Sequence, residues 1–359
     1  MSSLIDRLKA TSKLKDTAVL SESKIFHGKE MVPTPVPMIN VALSGDPDGG
    51  LLPGHTMIAG PSKHFKTSFG LLMAAAYLDA NPDAVLMFYD TEFGSPQAYF
   101  ESFGIDINRV LHVPIMNIEQ LKFDLVHQLE EMKREDNVII MLDSMGQIAS
   151  KKEIDDALKE SDKADMTRAK ALKSLFRMIT PYFTTKNVPF ISINHTYLEQ
   201  TMFPKAIVSG GTGPTYSADN IWIVGRRQDK VGTEVQGYHF VINIEKSRFV
   251  REKSKIPISV SFEGGIERYS GLLEVAVELG YVTKPKQGWY MPVNPPTGEE
   301  LAPSNVREKA TEGRDFWNTI FDKTDFKSAL KKRFEIGHIA MLTPETIEVK
   351  KGKKAEIDI

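Results

Sequence analysis

The sequence predicts an α/β protein with a mainly parallel central sheet covered by helices. Three observations lead to this prediction: apolar strand-like runs recur, helical stretches separate the early runs, and a glycine-containing loop joins the first strand to a helix. Fully apolar strands alternating with helices are typical of parallel sheets buried on both faces. The strand-like runs lie around 57 and at 85–89, 138–142, 190–193, 221–224 and 240–244, and the clearest helices at 118–133 and 166–183.

Composition limits the classes of protein to consider. The chain has 359 residues, enough for one large α/β domain with smaller attachments. It contains no cysteine, which excludes disulfides, thiolate metal sites and cysteine nucleophiles. No apolar run approaches the length of a membrane span and the N-terminus lacks a signal-peptide core, so we expect a cytoplasmic protein without membrane contact. The formal charge of −2 argues against a wholly basic surface but allows a local nucleic-acid site.

Residues 1–37 are predicted to form an arm and a linker outside the main domain. An isolated apolar pair, Ile25 and Phe26, lies between polar residues, and the proline-rich stretch 32–37 is typical of a stiff linker. Such an arm either docks on another subunit or folds back on its own core, and the sequence leaves both outcomes open. Before the apolar pair, a short amphipathic helix is predicted, with one apolar face made by Leu4, Ile5, Leu8 and Leu14.

Residues 38–268 are expected to form the main domain, and 269–359 a small C-terminal domain. The runs at 238–246 and 256–262 have short connections, so they are predicted to extend the sheet as antiparallel strands. A short basic run, of a kind that is usually solvated, lies near the end of the chain at 350–354. Helices in the C-terminal part are predicted at 271–279, 316–321 and 326–334.

The loop after the first strand resembles a phosphate-binding loop. Against the pattern G-x-x-x-x-G-K-[ST] it matches at Gly60, Lys66 and Thr67, and Phe65 stands where the second glycine is expected. A loop between a strand and a helix N-terminus directs backbone N–H groups and the helix dipole at an anion. Lys66 would reach the β- and γ-phosphates of a nucleotide and Thr67 would bind Mg²⁺, the alternative being an ordinary glycine turn. The candidate nucleotide-binding residues here are Gly60, Pro61, Ser62, Lys63, His64, Phe65, Lys66, Thr67 and Ser68.

Two acidic strand ends supply candidate catalytic groups. The run at 138–142 ends in Asp143, the form of the second nucleotide motif, whose acid holds Mg²⁺. The run at 85–89 is followed by Asp90 and Glu92, which would share one face if the strand continued that far. A carboxylate beside a phosphate loop can orient the water that attacks the γ-phosphate, and Glu92 is the candidate for that role. The alternative is a pair of solvated acids entering a turn.

Two later strand ends carry polar side chains. His195 follows the run at 190–193 at the same sheet edge, where it would contact the γ-phosphate; a structural hydrogen bond is the alternative. Lys246 and Arg248 are two residues apart and share a face. They could serve a phosphate at their own site or at that of a neighbouring molecule, or form a basic strand end facing water.

Two polar segments are candidate nucleic-acid loops. The segment 196–217 is long and contains several glycines, which is typical of a functional or mobile loop. Within it, Lys205 could meet a phosphate and Phe203 a base. The segment 150–168 is dense in charges of both signs and has the composition of a solvated or disordered stretch, at the ligand edge of the sheet.

In this order, these residues resemble a RecA-type strand-exchange recombinase and, within that class, the UvsX family of tailed bacteriophages. The resemblance runs from about Met31 to Tyr290, and the N-terminal arm also fits. Phe65 agrees with this phage family, and because it keeps its backbone N–H, we expect nucleotide binding to survive the loss of the glycine. The most specific matches lie at 60–66, 88–94, 165–170, 174–177, 193–197, 210–214 and 282–290.

The resemblance implies a RecA-like ATPase core that uses ATP and Mg²⁺. By that resemblance Lys66 and Thr67 bind the nucleotide and the metal, and Asp143 is the second metal-site residue. Glu92 activates water, and Tyr99 packs on the adenine. His195 stands where bacterial RecA has a glutamine that senses the γ-phosphate. Lys246 and Arg248 match the cations that reach the ATP of the adjacent subunit.

The same resemblance implies a helical filament on single-stranded DNA that pairs it with homologous double-stranded DNA. The process would serve recombination, repair and replication of phage DNA in the cytoplasm of a bacterial host. A phage single-stranded-DNA-binding protein and a recombination mediator are the expected protein partners. The resemblance would imply an acidic C-terminal tail, whereas the run at 350–354 is basic. The candidate DNA-binding residues are Lys152, Lys163, Arg168, Lys170, Phe203, Lys205, Gly210, Gly211 and Thr212.

Two other functions remain as alternatives. One is a hexameric helicase, a motor on the same fold that shares the phosphate loop and both acidic positions. The other is a mediator paralogue that binds DNA without hydrolysing ATP, which the departure at Phe65 favours. The retention of Lys66, Glu92 and Asp143 argues against the second alternative.

Overall fold

The computed structural model describes residues 3–14, 16–23, 25, 30–159, 167–199, 201–202, 204–231 and 233–336. Among these residues, no helix combines the length and the apolarity needed to span a bilayer. Phe26, Lys163 and Phe203, and the predicted basic tail at 350–354, lie outside the described residues.

The described strands form one large sheet, a smaller C-terminal sheet and a hairpin. In chain order they are β1 (Gly54–Ala59), β2 (Val85–Asp90), β3 (Val110–Pro114), β4 (Val138–Asp143), β5 (Pro189–Asn194), β6 (Thr196–Leu198), β7 (Ala206–Val208), β8 (Asn220–Val231), β9 (Glu234–Lys246), β10 (Lys255–Ser261), β11 (Gly265–Ile266), β12 (Val282–Lys286), β13 (Trp289–Asn294), β14 (Glu299–Glu300) and β15 (Val306–Arg307).

Nine of these strands make the central sheet, in the order β11-β10-β9-β8-β1-β5-β4-β2-β3. The strands from β8 to β3 in that order pair in parallel, and β9, β10 and β11 extend the sheet as antiparallel strands. The predicted α/β class, with a mainly parallel sheet, is therefore confirmed. Strand β3 was not predicted, because this edge strand is only partly buried and lacks a continuous apolar run.

Helices cover both faces of the sheet with separate apolar layers. One layer packs β1, β4 and β5 against α2 and α3, and the other packs the opposite face against α5 and α7. In α5, buried Ile118, Leu121, Leu125 and Leu129 recur at helical spacing, which is why the prediction for this segment holds. The helices are α1 (Leu4–Thr11), α2 (Pro37–Ser44), α3 (Lys66–Ala80), α4 (Gln97–Glu101), α5 (Ile118–Glu131), α6 (Lys151–Leu158), α7 (Thr167–Thr185), α8 (Thr212–Ser217), α9 (Leu272–Glu278), α10 (Arg314–Lys323) and α11 (Phe326–Phe334).

The N-terminal helix α1 leaves its apolar face uncovered. Leu4, Ile5 and Leu8 are 64%, 54% and 60% exposed, and no residue of α1 is buried. Within the part of the chain that the structure describes, α1 therefore does not fold back onto the core.

The proline-rich stretch is not a free linker, contrary to the sequence-based expectation. Val32 and Leu51 exchange backbone hydrogen bonds of 2.9 and 2.8 Å, and Val36 is 2% exposed. Asn40 accepts a hydrogen bond from the Thr34 backbone at 2.8 Å. Pro37 then opens α2, where the fixed φ of proline suits the first helical position. The stretch consequently lies against the core.

The C-terminal part packs on the same apolar layer as α2 and α3. Trp317, Phe326 and Leu330 are fully buried within that layer. Lys331 makes an ion pair of 2.8 Å with Asp46, which follows α2. The strands β12 and β13 were not predicted, because a proline and several lysines interrupt the run that forms β12.

A buried histidine on β1 predicts a loss of stability in acid. His55 stacks on Phe176 at 5.1 Å and shares a 2.7 Å hydrogen bond with the Ser192 hydroxyl. Burial lowers the pKa of His55 from 6.5 to about 3. The unfolded chain therefore binds the proton first, so the stabilising contribution is complete above pH 6.5 and is lost as pH falls towards 3.

Because of this group, we expect the free energy of unfolding to be about 2 kcal/mol lower at pH 5 than at neutral pH. Urea unfolding at a series of pH values measures the effect. A His55→Gln protein, neutral throughout, should show a flatter dependence between pH 6.5 and 5. Equal slopes for the two proteins would mean that folding does not lower the pKa of His55.

Candidate nucleotide site and basic surfaces

The phosphate-binding loop connects β1 to α3 at the carboxyl edge of the parallel strands. Helix α3 begins at Lys66, so Lys66 and Thr67 occupy its first turn. The backbone of Phe65 is left-handed, with φ 60° and ψ 20°. A glycine adopts this conformation without strain, which explains why the pattern expects one here.

The Phe65 ring packs in an aromatic cluster that offsets the cost of its backbone conformation. It stacks on Phe240 of β9 at 5.3 Å and meets Phe69 of α3 edge-on at 5.6 Å. Each such aromatic pair contributes about 0.5–1.5 kcal/mol beyond its buried area, whereas a left-handed non-glycine residue costs about 1–2 kcal/mol. The cluster thus anchors the loop to the antiparallel part of the sheet.

We expect Phe65→Ala to lower the free energy of unfolding by about 2–3 kcal/mol, because the ring contacts vanish while the left-handed backbone remains. Phe65→Gly should be about 1 kcal/mol less damaging, because glycine relieves that backbone. Urea unfolding measures both. Phe123→Ala, at a side chain that is 62% exposed, is the control and should change little. A Gly variant no more stable than the Ala variant would contradict this account.

Lys66, Thr67 and Asp143 meet at the start of α3. The Thr67 hydroxyl donates a 2.7 Å hydrogen bond to Asp143 Oδ2, and Lys66 Nζ donates one of 2.9 Å to the Pro61 carbonyl. Burial, followed by the charges of Glu92 and Asp90, raises the pKa of Asp143 to about 6. Burial also lowers the pKa of Lys66, which Asp143 and Glu92 oppose. A hydroxyl and a buried carboxylate are hard oxygen donors that suit Mg²⁺.

Asp90 and Glu92 do not share one face of a strand, because the strand does not continue as far as Glu92. Strand β2 ends at Asp90, and Glu92 lies in the turn that follows. Asp90 is 4% exposed, and its Oδ1 accepts hydrogen bonds from the backbone N–H groups of Glu92 and Phe93 at 3.0 and 2.7 Å. Asp90 thus holds the turn that carries Glu92.

Glu92 lies in a cluster with Ser144 and His195. Its Oε1 accepts a hydrogen bond from the Ser144 hydroxyl and lies 3.0 Å from His195 Nε2. A Cβ at Gly146 would come within 2.3 Å of the His195 ring, so only glycine leaves room for the histidine here. The structure therefore brings Glu92 and His195, predicted from separate strands, into direct contact.

His195 also leads directly into the long loop after β5. Its carbonyl accepts a 2.9 Å hydrogen bond from the Ser209 backbone, and its N–H donates to Asn194 Oδ1 at 2.8 Å. The Asn194 amide in turn donates to the Ser209 carbonyl at 2.8 Å. The described part of the segment 196–217, predicted as a long glycine-containing loop, forms the β6–β7 hairpin followed by α8. The hydrogen bonds of Ser209 hold it at the sheet edge that carries Glu92 and His195.

A cleft of about 620 Å³ opens over the phosphate loop. Tyr99 lines one side of the cleft. Its hydroxyl forms a hydrogen bond with the Ser68 hydroxyl, so the Ser68 side chain already has a partner within the protein. The other side of the cleft was not predicted, because its residues come from β8, β9, β10 and the residue after β10, far along the chain. Arg226 donates a 2.8 Å hydrogen bond to the Lys63 carbonyl. The lining residues from this side include Arg226, Tyr238, Phe240, Val260, Ser261 and Phe262.

Lys246 and Arg248 lie at the opposite sheet edge. Arg248 pairs with Asp219 at 2.7 Å, and Asp219 bonds to the backbone of His55, near the start of β1. The phosphate loop follows the other end of β1. A strand of six residues spans roughly 17–20 Å, which exceeds the reach of an arginine side chain. The structure does not bring these cations to their own phosphate loop.

The charged segment 150–168 contains a helix, whereas composition favoured a solvated or disordered stretch. Helix α6 begins with a capping box in which Ser150 and Glu153 satisfy each other's backbone N–H groups. Within it, Lys152 pairs with Asp156 one turn later. The described part of this segment is therefore ordered by local capping.

Arg168 has a structural partner set that the sequence analysis did not foresee. Its guanidinium donates hydrogen bonds of 2.8, 2.9 and 3.0 Å to the carbonyls of Ile148, Met145 and Gly146. These bonds hold the chain that leaves β4 in place, a positioning role that the sequence did not predict. The DNA contact predicted for Arg168 stays a prediction.

The other described candidate DNA-binding residues lie on exposed surface near the sheet edge that carries the phosphate loop. Lys170 is exposed on α7, on the same face as Lys173 and Arg177, two cations that the candidate set omitted. Lys205 is exposed beside β7. Ahead of Thr212, which begins α8, Gly210 and Gly211 have φ values of 94° and 76°, where glycine is favoured.

Comparisons with known proteins agree with these features. A family model described as "Bacteriophage T4, Recombination and repair protein, C-terminal domain" matches residues 269–330. RecA of Chloroherpeton thalassium is 25% identical over 278 residues, 76% of this chain and 75% of that protein. RecA of Streptomyces ambofaciens is 24% identical over 310 residues, 85% of this chain and 80% of that protein.

The recombination and repair protein of Enterobacteria phage T4 is 51% identical over 342 residues, which cover 94% of this chain and 88% of that protein. Identity of this extent confirms the resemblance predicted from the motifs. The chain therefore belongs to the family of the phage T4 recombination and repair protein, with bacterial RecA proteins as more distant relatives.

Proposed function

We propose that the protein is a DNA-dependent ATPase that assembles as a helical filament on single-stranded DNA and catalyses homologous pairing and strand exchange. Membership of a recombination and repair family, with RecA among the relatives, supports this function. Neither a helicase nor a mediator without ATPase activity gains support from these relatives.

One structural observation carries the filament proposal. The phosphate loop and Glu92 lie at one sheet edge, and Lys246 and Arg248 lie at the other, out of reach. If both groups of residues contact the same ATP molecule, they must come from different subunits. An interface between two different faces of the same chain is head-to-tail and, when it does not close, builds a helix.

In this proposal the nucleotide lies between subunits. The loop N–H groups and the dipole of α3 bind the phosphates, and Lys66 exchanges the Pro61 carbonyl for the β- and γ-phosphates. Thr67 and Asp143 would hold Mg²⁺, which neutralises phosphate charge during transfer. Glu92, freed from Ser144 and His195, orients the attacking water. Tyr99 supplies an apolar wall for the base.

His195 would couple ATP to DNA. Its side chain touches Glu92, and its carbonyl holds Ser209 at the base of the long loop. A γ-phosphate that competes for the imidazole would therefore act on both the catalytic acid and the loop. This coupling is a two-state arrangement that nucleotide binding can bias.

DNA binding would use loops at the sheet edge that carries the phosphate loop. Lys170, Lys205 and the start of α8, which follows two glycines, would contact DNA phosphates. Lys152, Lys163 and Phe203 belong to the same proposal. Contacts of this kind are largely electrostatic, so affinity should fall as salt rises. The uncovered apolar face of α1 supports docking of the arm on a neighbouring subunit.

An ATPase assay with and without single-stranded DNA, alongside electron microscopy of the complexes, tests this function. Stimulated hydrolysis and helical filaments are expected. Rings that unwind duplexes would favour a helicase, and DNA binding without stimulated hydrolysis would favour a mediator. A single-stranded-DNA-binding protein and a loading mediator are the partners to add to strand-exchange assays.

A further inference from the structure

Asp219 is fixed in place where the chain leaves α8 and enters β8. Its backbone N–H donates to the His55 carbonyl at 2.8 Å, and its Oδ2 accepts from the His55 N–H at 2.9 Å. Its Oδ1 lies 2.7 Å from Arg248 Nε. A residue that is held both at its backbone and at one carboxylate oxygen presents its other oxygen in one direction.

The adjacent backbone is shaped for this carboxylate. Gly54 has φ 130°, and a Cβ built there would lie 2.5 Å from Asp219 Oδ2. Any larger residue would push the carboxylate away from the His55 N–H. The Asp219 side chain is 20% exposed, whereas that of Arg248 is 69% exposed.

The same short segment also holds the other cation. Lys246 Nζ donates hydrogen bonds of 3.0 Å each to the carbonyls of Thr215 and Tyr216, at the C-terminal end of α8. Helix α8 begins directly after Gly211 in the proposed DNA loop. Both cations are therefore held by residues 215–219, which continue the loop that is expected to meet DNA.

We propose that Asp219 is a positioning residue that holds Arg248 in the orientation needed at the ATP of the neighbouring subunit. The proposal rests on the function argued above. Arg248 is long and exposed, so an unheld guanidinium would lose rotamer entropy on reaching the phosphate. Asp219 pairs with Nε, and the guanidinium has four further N–H donors on its terminal nitrogens. Orientation in advance lowers the barrier to transfer.

The test uses the full-length protein and Asp219→Asn, which keeps an oxygen for the His55 N–H but removes the charge facing Arg248. The DNA-stimulated kcat is expected to fall about tenfold, with little change in the KM for ATP, since the interaction acts in the transition state. Glu278→Gln is the matched control, because it removes an acid that pairs with Arg333 at 3.2 Å, outside the site. It should retain full activity.

A double-mutant cycle separates positioning from mere support of the fold. In an Arg248→Ala background, Asp219→Asn should cause no further loss of kcat, because its target is gone. If Asp219→Asn lowers kcat in the Arg248→Ala background by the same factor as in the wild-type background, the proposal is overturned. An Asp219→Asn protein as active as wild type while Arg248→Ala is defective would also overturn it.

Should Asp219→Asn fail to fold, as judged by circular dichroism, Arg248→Lys examines the same contact from the other side. It keeps the charge but removes Nε and should also lose about tenfold in kcat. Wild-type activity of Arg248→Lys would refute the positioning role. Wild-type activity of Arg248→Ala would instead refute the trans role itself, and with it the proposed function of this residue.

Discussion

A Glu92→Gln protein is expected to bind ATP and single-stranded DNA as well as wild type and to hydrolyse ATP at least about 100-fold more slowly. The amide keeps the shape of the side chain and can still bond to Ser144 and His195, but it cannot take a proton from water. Filaments formed with ATP should therefore persist, because the nucleotide that joins subunits is no longer consumed. Single-turnover hydrolysis, nucleotide binding and electron microscopy measure the three properties.

Glu101→Gln is the control for this experiment, since Glu101 is an exposed acid on α4, outside the cluster of Glu92. It should hydrolyse ATP at the wild-type rate. Unchanged turnover in Glu92→Gln would remove Glu92 from the reaction. Loss of ATP binding would instead indicate that Glu92 supports the loop.

Lys246→Ala combined with Arg248→Ala should leave a folded protein that loses DNA-stimulated ATPase activity at least about 100-fold. Neither cation touches its own phosphate loop, so binding of ATP by an isolated subunit should change little. The stabilisation of filaments by ATP should disappear, because the charges that would join one subunit to the phosphates of the next are gone. Lys253→Ala is the control, because this lysine pairs with Glu245 on exposed surface.

Mixing this double variant with Glu92→Gln subunits tests whether the cations act in trans. Each protein alone is inactive, but a junction that takes Glu92 from one and the cations from the other is complete. With equal amounts and random assembly, about one quarter of the junctions should recover activity. No recovery, with mixed filaments seen by microscopy, would place all these groups in one subunit and contradict the model of a shared site.

Much of the fold could be predicted because the buried elements have simple patterns. The strands β2, β4 and β5 are continuous apolar runs, and α5 has its apolar residues at helical spacing. The half-exposed edge strand β3 and the lysine-containing β12 lack such patterns. Their pairing depends on neighbours that are distant in sequence, so local periodicity does not reveal them.

The residues of the candidate site likewise fall into those that the sequence predicts and those that it does not. Lys66, Thr67 and Asp143 follow from motifs, because phosphate and Mg²⁺ need those groups at the ends of parallel strands. The hydrogen-bond partners of Arg168 could not be predicted, since composition says nothing about the carbonyls that it meets in the fold. The wall containing Arg226 and Phe262 was missed, because it comes from strands that reach the cleft only through sheet order.

The sequence by itself determined the fold class, the family and the chemical groups of the nucleotide site, because these depend on local patterns and on residue types at a short spacing. Only the tertiary structure decided that Phe65 is stabilised by Phe240, that Glu92 contacts His195, and that Arg248 lies beyond reach of its own loop. The first two are contacts between residues more than 100 positions apart. The third is a separation between groups that local reasoning would place in one site. All three depend on strand order and register, which no single stretch of the chain encodes.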